Sequence, residues 1–550
     1  MKNRLMGWFR QPENALFAAL ILLHLIPIWA FPYFPSQDGP AHLNNANVLR
    51  EYNHPDRSVF REYYVLNSNP EPNWTGHLAL AGLMFLVPLL TAEKLLLSGY
   101  VVLLPLSARY AVRAVNPQNA GLAFLSFPFI FNYLLHMGFY NFSYSLPFFF
   151  FVVGYWAKKQ ERFGWREALI MALLWLALYF THIFSVVTAC AAIGLAALMF
   201  TAFDLVNRLR GVPPDGETPK TSFWRLFASR ALVPFIALLP TALLVLNFLN
   251  QKGVRRGEPL PVGFQWRRLR TLESLVSFHD YEVWLAISVA ALFAALTAFL
   301  LLVKVLRWEW NRWDALLIVS AAYVYIYFIA PDWMSGGGFI SHRMILFPYI
   351  ALLLWAAGQR WPVWSKRTAQ AAAAALAVAF LALNMRSYAQ LNEYLEEYIS
   401  AGDHVEPNTT LLPLCFSHQG RDENDRIMAR RIGPFLHASG IIAAKKRIVE
   451  MDNYEGNTTY FPVLFRPEKN PFTHIGAIEA QPPQVDFLSF NEKTGGTVDY
   501  VLLWQLRDLY HENAQKILEQ LDKGGYERIF VSEPRGAAQL YRRPGLKTGE

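Results

Sequence analysis

Two cysteines in 550 residues leave little room for sulfur chemistry. Cys190 falls inside an apolar block and Cys415 in a polar region, so neither a disulfide nor a thiolate metal site is expected. Charge is scarce as well: Asp, Glu, Lys and Arg make up 17% of the chain, against 54% hydrophobic and 15% aromatic residues. The net charge of +8 does not point to nucleic acid, because the Lys and Arg residues gather in short segments between apolar blocks, as orientation signals do. Zinc spacings such as HExxH are missing, and no internal repeat or low-complexity tract is visible beyond an Ala-rich stretch at 369–379.

What the chain has in abundance is membrane-length apolar sequence. Blocks run at 14–32, 76–91, 96–112, 119–135, 140–157, 168–182, 183–203, 231–249, 284–304, 314–331, 341–358 and 368–385, each near the length a helix needs to cross a bilayer. The first is too long for a signal-peptide core and lacks a small-x-small cleavage site, so it is expected to be retained. The pattern predicts a polytopic helical membrane protein.

The basic connectors suggest its orientation. Lys2, Arg4 and Arg10; Lys158, Lys159, Arg162 and Arg166; the segment 208–230; Lys304, Arg307 and Arg312; and Arg360, Lys366 and Arg367 all read as cytoplasmic under the positive-inside rule. Parity then puts 33–75, 250–283, 332–340 and everything after 386 outside. The stretch 76–157 must cross an odd number of times, so one of its four blocks is expected to fall short, most plausibly within 76–112. That leaves about 11 crossings, or 13 if two blocks are merged, with the N-terminus inside and the C-terminus outside.

Beyond Arg386 the composition becomes that of a soluble domain. Runs of β type at 410–416, 447–452, 498–504, 528–532 and 538–542 alternate with helical stretches near 423–438 and 505–523. The expected organisation is a transmembrane domain over 1–385, with outer loops at 33–75 and 250–283, and a small extracytoplasmic α/β domain over 386–550.

The outer face collects the chemistry. Asp38 and His42 lie in Ser36-Gln37-Asp38-Gly39-Pro40-Ala41-His42, directly after the first apolar block. A carboxylate and an imidazole held at the membrane–water boundary can work on a substrate whose tail lies in the bilayer. Asp38 before Gly-Pro also suits a plain helix boundary. If a helix starts near Pro40, His42 sits one turn away, where a carboxylate can orient the imidazole or share a metal ion with it. His136 and Asn141, His182, and His342 with Arg343 come from further outer connectors or helix ends. Each histidine could equally be a satisfied buried group.

Arg255, Arg256, Arg267, Arg268 and Arg270 put a cluster of cations outside, against the charge bias, and this calls for an anion: a phosphate-bearing ligand, or anionic lipid head groups in general. The turn Asp332-Trp333-Met334-Ser335-Gly336-Gly337-Gly338 before Ser341-His342-Arg343 suits close backbone approach to a ligand, or a flexible connector. Asp38, His42, His136 and His182 are one set that could hold a divalent cation.

With these residues in place, the layout resembles the GT-C superfamily of membrane glycosyltransferases, in particular bacterial members related to protein O-mannosyltransferases and aminoarabinose transferases. The resemblance rests on the Ser36–His42 run, Gly138-Phe139-Tyr140-Asn141-Phe142, Thr181-His182 and His342-Arg343. It implies about 11–13 helices, a catalytic carboxylate at Asp38, a polyprenyl-phosphate-linked sugar as donor and a lipid, glycan or protein as acceptor at the outer face of the inner membrane. Arg343 or the 255–270 arginines would hold the lipid phosphate. The chain departs from many such proteins in having no second acid beside Asp38. Two other classes fit the sequence: a transporter or flippase of a lipid-linked saccharide, and a non-catalytic assembly factor acting through 386–550.

Overall fold

The structure, a computed structural model, describes residues 11–210 and 223–546. Lys2, Arg4 and Arg10, and most of the 208–230 connector, lie outside the described residues. Among the described residues 8 helices are long and apolar enough to cross a membrane: Pro12–Ala30, Leu89–Val115, Ile183–Leu209, Trp224–Lys252, Glu282–Arg307, Arg312–Ile329, Ile340–Ala357 and Val363–His404. The protein is therefore a polytopic helical membrane protein. The outward stripe Leu232, Phe235, Ile236, Leu239, Leu243 and Leu246 on one of these helices is exposed, and its three- and four-residue spacing makes one apolar face suited to lipid.

Two blocks do not form regular spanning α-helices, one of them within 76–112, where a failure to cross is expected. The 76–91 block becomes the 10-residue helix Thr75–Met84, about 15 Å long and too short to cross. The 119–135 block forms a 13-residue 3-10 stretch, Pro117–Phe129, where Pro117 and Pro128 and the non-helical Asn119 interrupt regular α-helix bonding. The 140–157 and 168–182 blocks form the helices Tyr140–Lys159 and Trp165–Thr181.

The connectors sort into two ends. At one, Arg312 pairs with Glu161 (2.8 Å), Lys304 with Asp314 (3.0 Å), and Asn119 donates to the carbonyls of Ala357 and Gln359. At the other, the Gln37 N–H donates to the His136 carbonyl (3.0 Å), the Trp74 N–H to Phe180 (3.1 Å), and the Ser335 N–H to Arg255 (2.7 Å). The C-terminal lobe sits on this second end.

That lobe is built on a five-stranded sheet in the order Val449–Glu450, Thr410–Cys415, Tyr500–Trp504, Ala538–Arg542, Glu527–Val531. The first three strands are parallel and the last two antiparallel. The expected β runs match these strands closely. The expected helix at 423–438 is irregular chain instead; the helix there is Ser439–Lys446. Residues 505–523 yield the shorter helix Glu512–Lys523.

The boundary placed at 385/386 falls inside one continuous helix, Val363–Ser400, of 38 residues. At about 57 Å it is nearly twice the length needed to span, and its far end is gripped by the lobe, where the Glu397 carboxylate accepts from the Ser532 hydroxyl and from backbone at Ala537. The 33–75 segment is likewise not a separate loop. Its strand Tyr64–Leu66 pairs antiparallel with Val463–Phe465, and Val48, Val59, Phe60, Tyr63 and Tyr64 are buried in one core with Leu412, Leu414, Val449 and Val501. Apolar residues spaced between polar ones over 48–64 supply the lobe with part of its core.

Candidate active site

Where the first-loop helix Gly39–Glu51 begins, a cavity of about 270 Å³ opens between the helical bundle and the lobe. Asp38, His42, Asn141, His182 and Arg343 line it, together with the glycines 336–338, the apolar side chains Phe139, Phe142, Ile183 and Phe248, and Tyr454, Tyr460 and Phe461 of the lobe. Five side chains singled out in the sequence therefore border one space.

Asp38 occupies the position before the helix but does not cap it with its side chain. Its backbone carbonyl accepts the His42 N–H (3.1 Å), leaving the carboxylate to the cavity, 5% exposed. The backbone at 37–38 is held by the connector 136–138 through the Gln37 and Asp38 N–H groups. This close approach depends on Gly138, whose φ is +85° and where a Cβ would lie 2.5 Å from the Gly39 nitrogen. The Gln37 amide donates to Asp38 Oδ1 (3.0 Å) while accepting from the Gly433 N–H of the lobe. Burial raises the Asp38 pKa, and the nearby His437 and His42 oppose that shift without cancelling it.

His42 turns away from Asp38. Its Nδ1 pairs with Glu455, and its Nε2 donates to the Gly138 carbonyl (2.8 Å). The expectation that Asp38 orients this imidazole is thus corrected: Glu455, 413 positions further along the chain, is the partner in contact. Burial opposes charge on His42, but Glu455 outweighs it and the pKa is raised overall, while the two histidines around Glu455 hold its own carboxyl well below the usual range despite burial.

Arg343 lies on the short helix Ile340–Met344, which starts where Asp332 accepts the Ser341 N–H (2.9 Å). The guanidinium is 9% exposed, donates to the Gly338 carbonyl (2.5 Å) and lies over the rings of Phe139 and Phe142 at 4.9 and 5.6 Å. Its Nε has no hydrogen-bond partner, and no carboxylate lies within ion-pairing distance among the described residues. Asp332 and Asp38 favour its charge only from beyond ion-pairing distance, and a buried cation with no counter-charge in contact favours an anion in the cavity. The glycine turn beside it is clasped from two sides, by the Arg256–Met334 bridge and by the Tyr460 hydroxyl donating to the Gly336 carbonyl (2.9 Å).

His182 and Asn141 combine structural work with their place in the wall. His182 Nδ1 accepts the Phe184 N–H (3.2 Å) and caps the helix Ile183–Leu209; Asn141 accepts from the Gly76 N–H (2.6 Å) and donates to the Asn73 carbonyl (2.8 Å).

Other expected residues lie elsewhere. His136 is fully buried behind the wall, bonded through both ring nitrogens to the hydroxyls of Ser277 and Tyr388 at 2.6 Å, so Asp38, His42, His136 and His182 do not gather around one ion. His342 stacks against Tyr133 at 4.6 Å instead of lining the cavity. Arg255, Arg256, Arg267 and Arg270 are exposed; Arg267 and Arg268 cover the Phe264 ring, and Arg268 reaches Glu273 and the Ser341 hydroxyl. The helix Val262–Thr271 packs by Gln265, which leaves Arg267 and Arg270 on its outer side.

The lobe brings acids and histidines that sequence reasoning missed. His437 lies 3.8 Å from Asp38 and 3.6 Å from Asp452, and His437, Asp452 and Glu479 form a cluster of their own. Glu450 accepts from Ser439 (2.5 Å) and Asn44 (3.0 Å). A usable signal existed: Glu450-Met451-Asp452-Asn453-Tyr454-Glu455 places three acids immediately after a β run. Compared with known proteins, the chain matches no family model and no curated protein.

Proposed function

We propose that the protein is a GT-C-like membrane glycosyltransferase that moves a sugar from a polyprenyl-phosphate donor to an acceptor hydroxyl. The observation that carries this reading is the shared cavity: a buried carboxylate, Asp38, and a buried guanidinium without a carboxylate partner, Arg343, line one space together with Phe139, Phe142, Ile183 and Phe248. A base, an anion site and an apolar wall are what transfer from a lipid phosphate requires.

In this mechanism Asp38 takes the proton from the acceptor hydroxyl as its oxygen attacks the anomeric carbon. The bond from that carbon to the phosphate oxygen breaks, and the polyprenyl phosphate departs with the electron pair, its charge met by Arg343. A raised Asp38 pKa strengthens it as a base. His42, tethered to Glu455 and Gly138, is a positioning residue for the wall beside Asp38. At about 270 Å³ the cavity is near the lower end of the roughly 300–1,000 Å³ of small-molecule sites, which suits one sugar and its phosphate rather than an oligosaccharide.

The segregation of connectors supports an orientation in which the basic end faces the cytoplasm and the cavity and lobe face outward. Joining the 8 long apolar helices with Pro117–Phe129, Tyr140–Lys159 and Trp165–Thr181 gives about 11 passes, the odd number this orientation needs.

The test is release of polyprenyl phosphate with sugar transfer by the purified protein. Asp38→Asn is expected to insert and fold normally but lose transfer; full activity in that variant rejects the assignment. A flippase would return the donor intact.

A further inference from the structure

Behind the cavity wall, His42, His77 and Glu455 form a buried cluster whose nitrogen and oxygen atoms all lie within 4.8 Å of one another. They come from three distant stretches: the helices Gly39–Glu51 and Thr75–Met84, and the loop after Val449–Glu450. The far side of each ring meets a backbone carbonyl. His42 Nε2 meets the Gly138 carbonyl at 2.8 Å, and His77 Nδ1 meets the Asn73 carbonyl at 3.3 Å. A carbonyl only accepts, so each of these nitrogens is placed to carry the hydrogen, and in these tautomers of the neutral rings the other nitrogen is a bare lone pair.

The two bare nitrogens, His42 Nδ1 and His77 Nε2, face each other at 3.2 Å, and the Glu455 carboxylate closes on both. Three electron-pair donors directed at one buried point repel one another unless positive charge joins them. Without an ion, a single imidazolium at His42 paired with Glu455 answers part of this repulsion, whereas one divalent ion engages all three donors at a single centre. The nitrogen–nitrogen separation is close to the edge, about 3.3 Å, of a tetrahedron with zinc–nitrogen bonds of about 2.0–2.1 Å. Outer support is also present: carbonyls behind both rings hold the tautomers that ligation needs, and Asn45 Nδ2 donates to Glu455 Oε2 at 2.6 Å.

We propose that His42, His77 and Glu455 bind a divalent transition-metal ion of zinc type, for which two imidazoles and a carboxylate are a suitable donor set. The ion clamps the C-terminal lobe to the first loop and the helix Thr75–Met84, and thereby fixes the helix that starts at Asp38. This inference stands independently of the transfer reaction, since it concerns binding and cohesion.

The experiment uses the full chain in detergent, stripped with a chelator and titrated with Zn²⁺ alone, with metal content and unfolding temperature as readouts. The wild type is expected to retain one equivalent and to unfold at higher temperature as free zinc rises, as any ligand specific to the folded chain requires. Asn45→Ala is expected to weaken retention about 10–100-fold, and Glu455→Gln and His77→Ala by more than that. His437→Ala, in the neighbouring cluster, is expected to retain zinc. The proposal is overturned if the wild type retains no more zinc than Glu455→Gln, if zinc leaves its unfolding temperature unchanged, or if His437→Ala rather than Glu455→Gln loses the ion. The wild-type readouts decide the matter even where a variant fails to fold.

Discussion

The segments 33–75 and 250–283 look alike in sequence, each a polar stretch between apolar blocks with ionisable residues in it, yet Asp38 and His42 of the first and the arginine cluster of the second reach opposite outcomes. The first is covered by the C-terminal lobe: Asp38 and His42 are buried, Phe60 and Tyr64 join the lobe's core, and Gly440 lets the helix Ser439–Lys446 approach so closely that a Cβ there would lie 2.5 Å from the Pro40 carbonyl. The first part of the second keeps Arg255, Arg256, Arg267 and Arg270 in solvent and meets the cavity's glycine turn through its backbone, while its end, 272–278, is buried, with Glu273 paired to Arg431 of the lobe. Residue type does not separate a site from a surface; the segment that covers it does, because only in a desolvated setting does a charge acquire a strong preference for a partner.

The sharpest test of that contrast is catalytic. Asp38→Asn is expected to lower sugar transfer by about 10²–10⁴-fold, the range of general-base catalysis, measured with a polyprenyl-phosphate donor in detergent. Changing Arg255, Arg256, Arg267 and Arg270 together to Ala should leave it within about twofold, since solvent screens them. A large loss in the arginine variant would erase the distinction.

The stability version compares core with surface. Phe60→Ala is expected to destabilise the lobe by about 3–5 kcal/mol, through loss of a fully buried ring from the core it shares with Leu412, Leu414 and Val501. Trp266→Ala, at a half-exposed position, should stay within about 0.5 kcal/mol. Denaturation followed by tryptophan fluorescence and limited proteolysis of the lobe reads both; equal effects would mean that the first loop does not share the lobe's core.

Arg343→Ala is expected to weaken donor binding by about 10–100-fold, with a smaller change in kcat, the mark of a charge-assisted contact made in ground and transition state alike. An unchanged KM would remove Arg343 from the donor site.

The smallest expected effect concerns pH. Burial pushes the Glu450 carboxyl up to about 8. The folded chain therefore keeps a proton that the unfolded chain releases near its ordinary value, so the stabilisation is full below about pH 4.5 and is lost as pH rises through about 8. Glu450→Gln, which can still bond Ser439 and Asn44, should flatten this decline and unfold at higher temperature than the wild type near about pH 9. An identical decline in both would place the pH dependence elsewhere.

Several features of the fold could be read directly. The apolar lengths of 183–203, 231–249, 284–304 and 341–358 correspond to long helices, and the continuous apolar run over 500–504 and the alternation over 538–542 correspond to strands, since these signals arise within one element. The 119–135 block defeated the same reasoning because Pro128 and the non-helical Asn119 interrupt a stretch that hydrophobicity alone counts as α-helix. For the site, the placement of Asp38, Asn141, His182 and Arg343 at connector ends was visible, whereas His77, His437, Asp452 and Glu455 were not, because each takes its meaning from a partner far along the chain.

By itself, then, the sequence determined the membrane class, the sorting of connectors into two ends and the arrival of a carboxylate just after the first apolar helix, all of which depend on local length, charge and turn residues. Only the tertiary structure decided which ionisable groups share a cavity, that Arg343 rather than the exposed arginines faces it, and that Glu455 takes hold of His42. Those outcomes follow from the pairing of Tyr64–Leu66 with Val463–Phe465 across roughly 400 residues, a contact whose register no local pattern in the chain encodes.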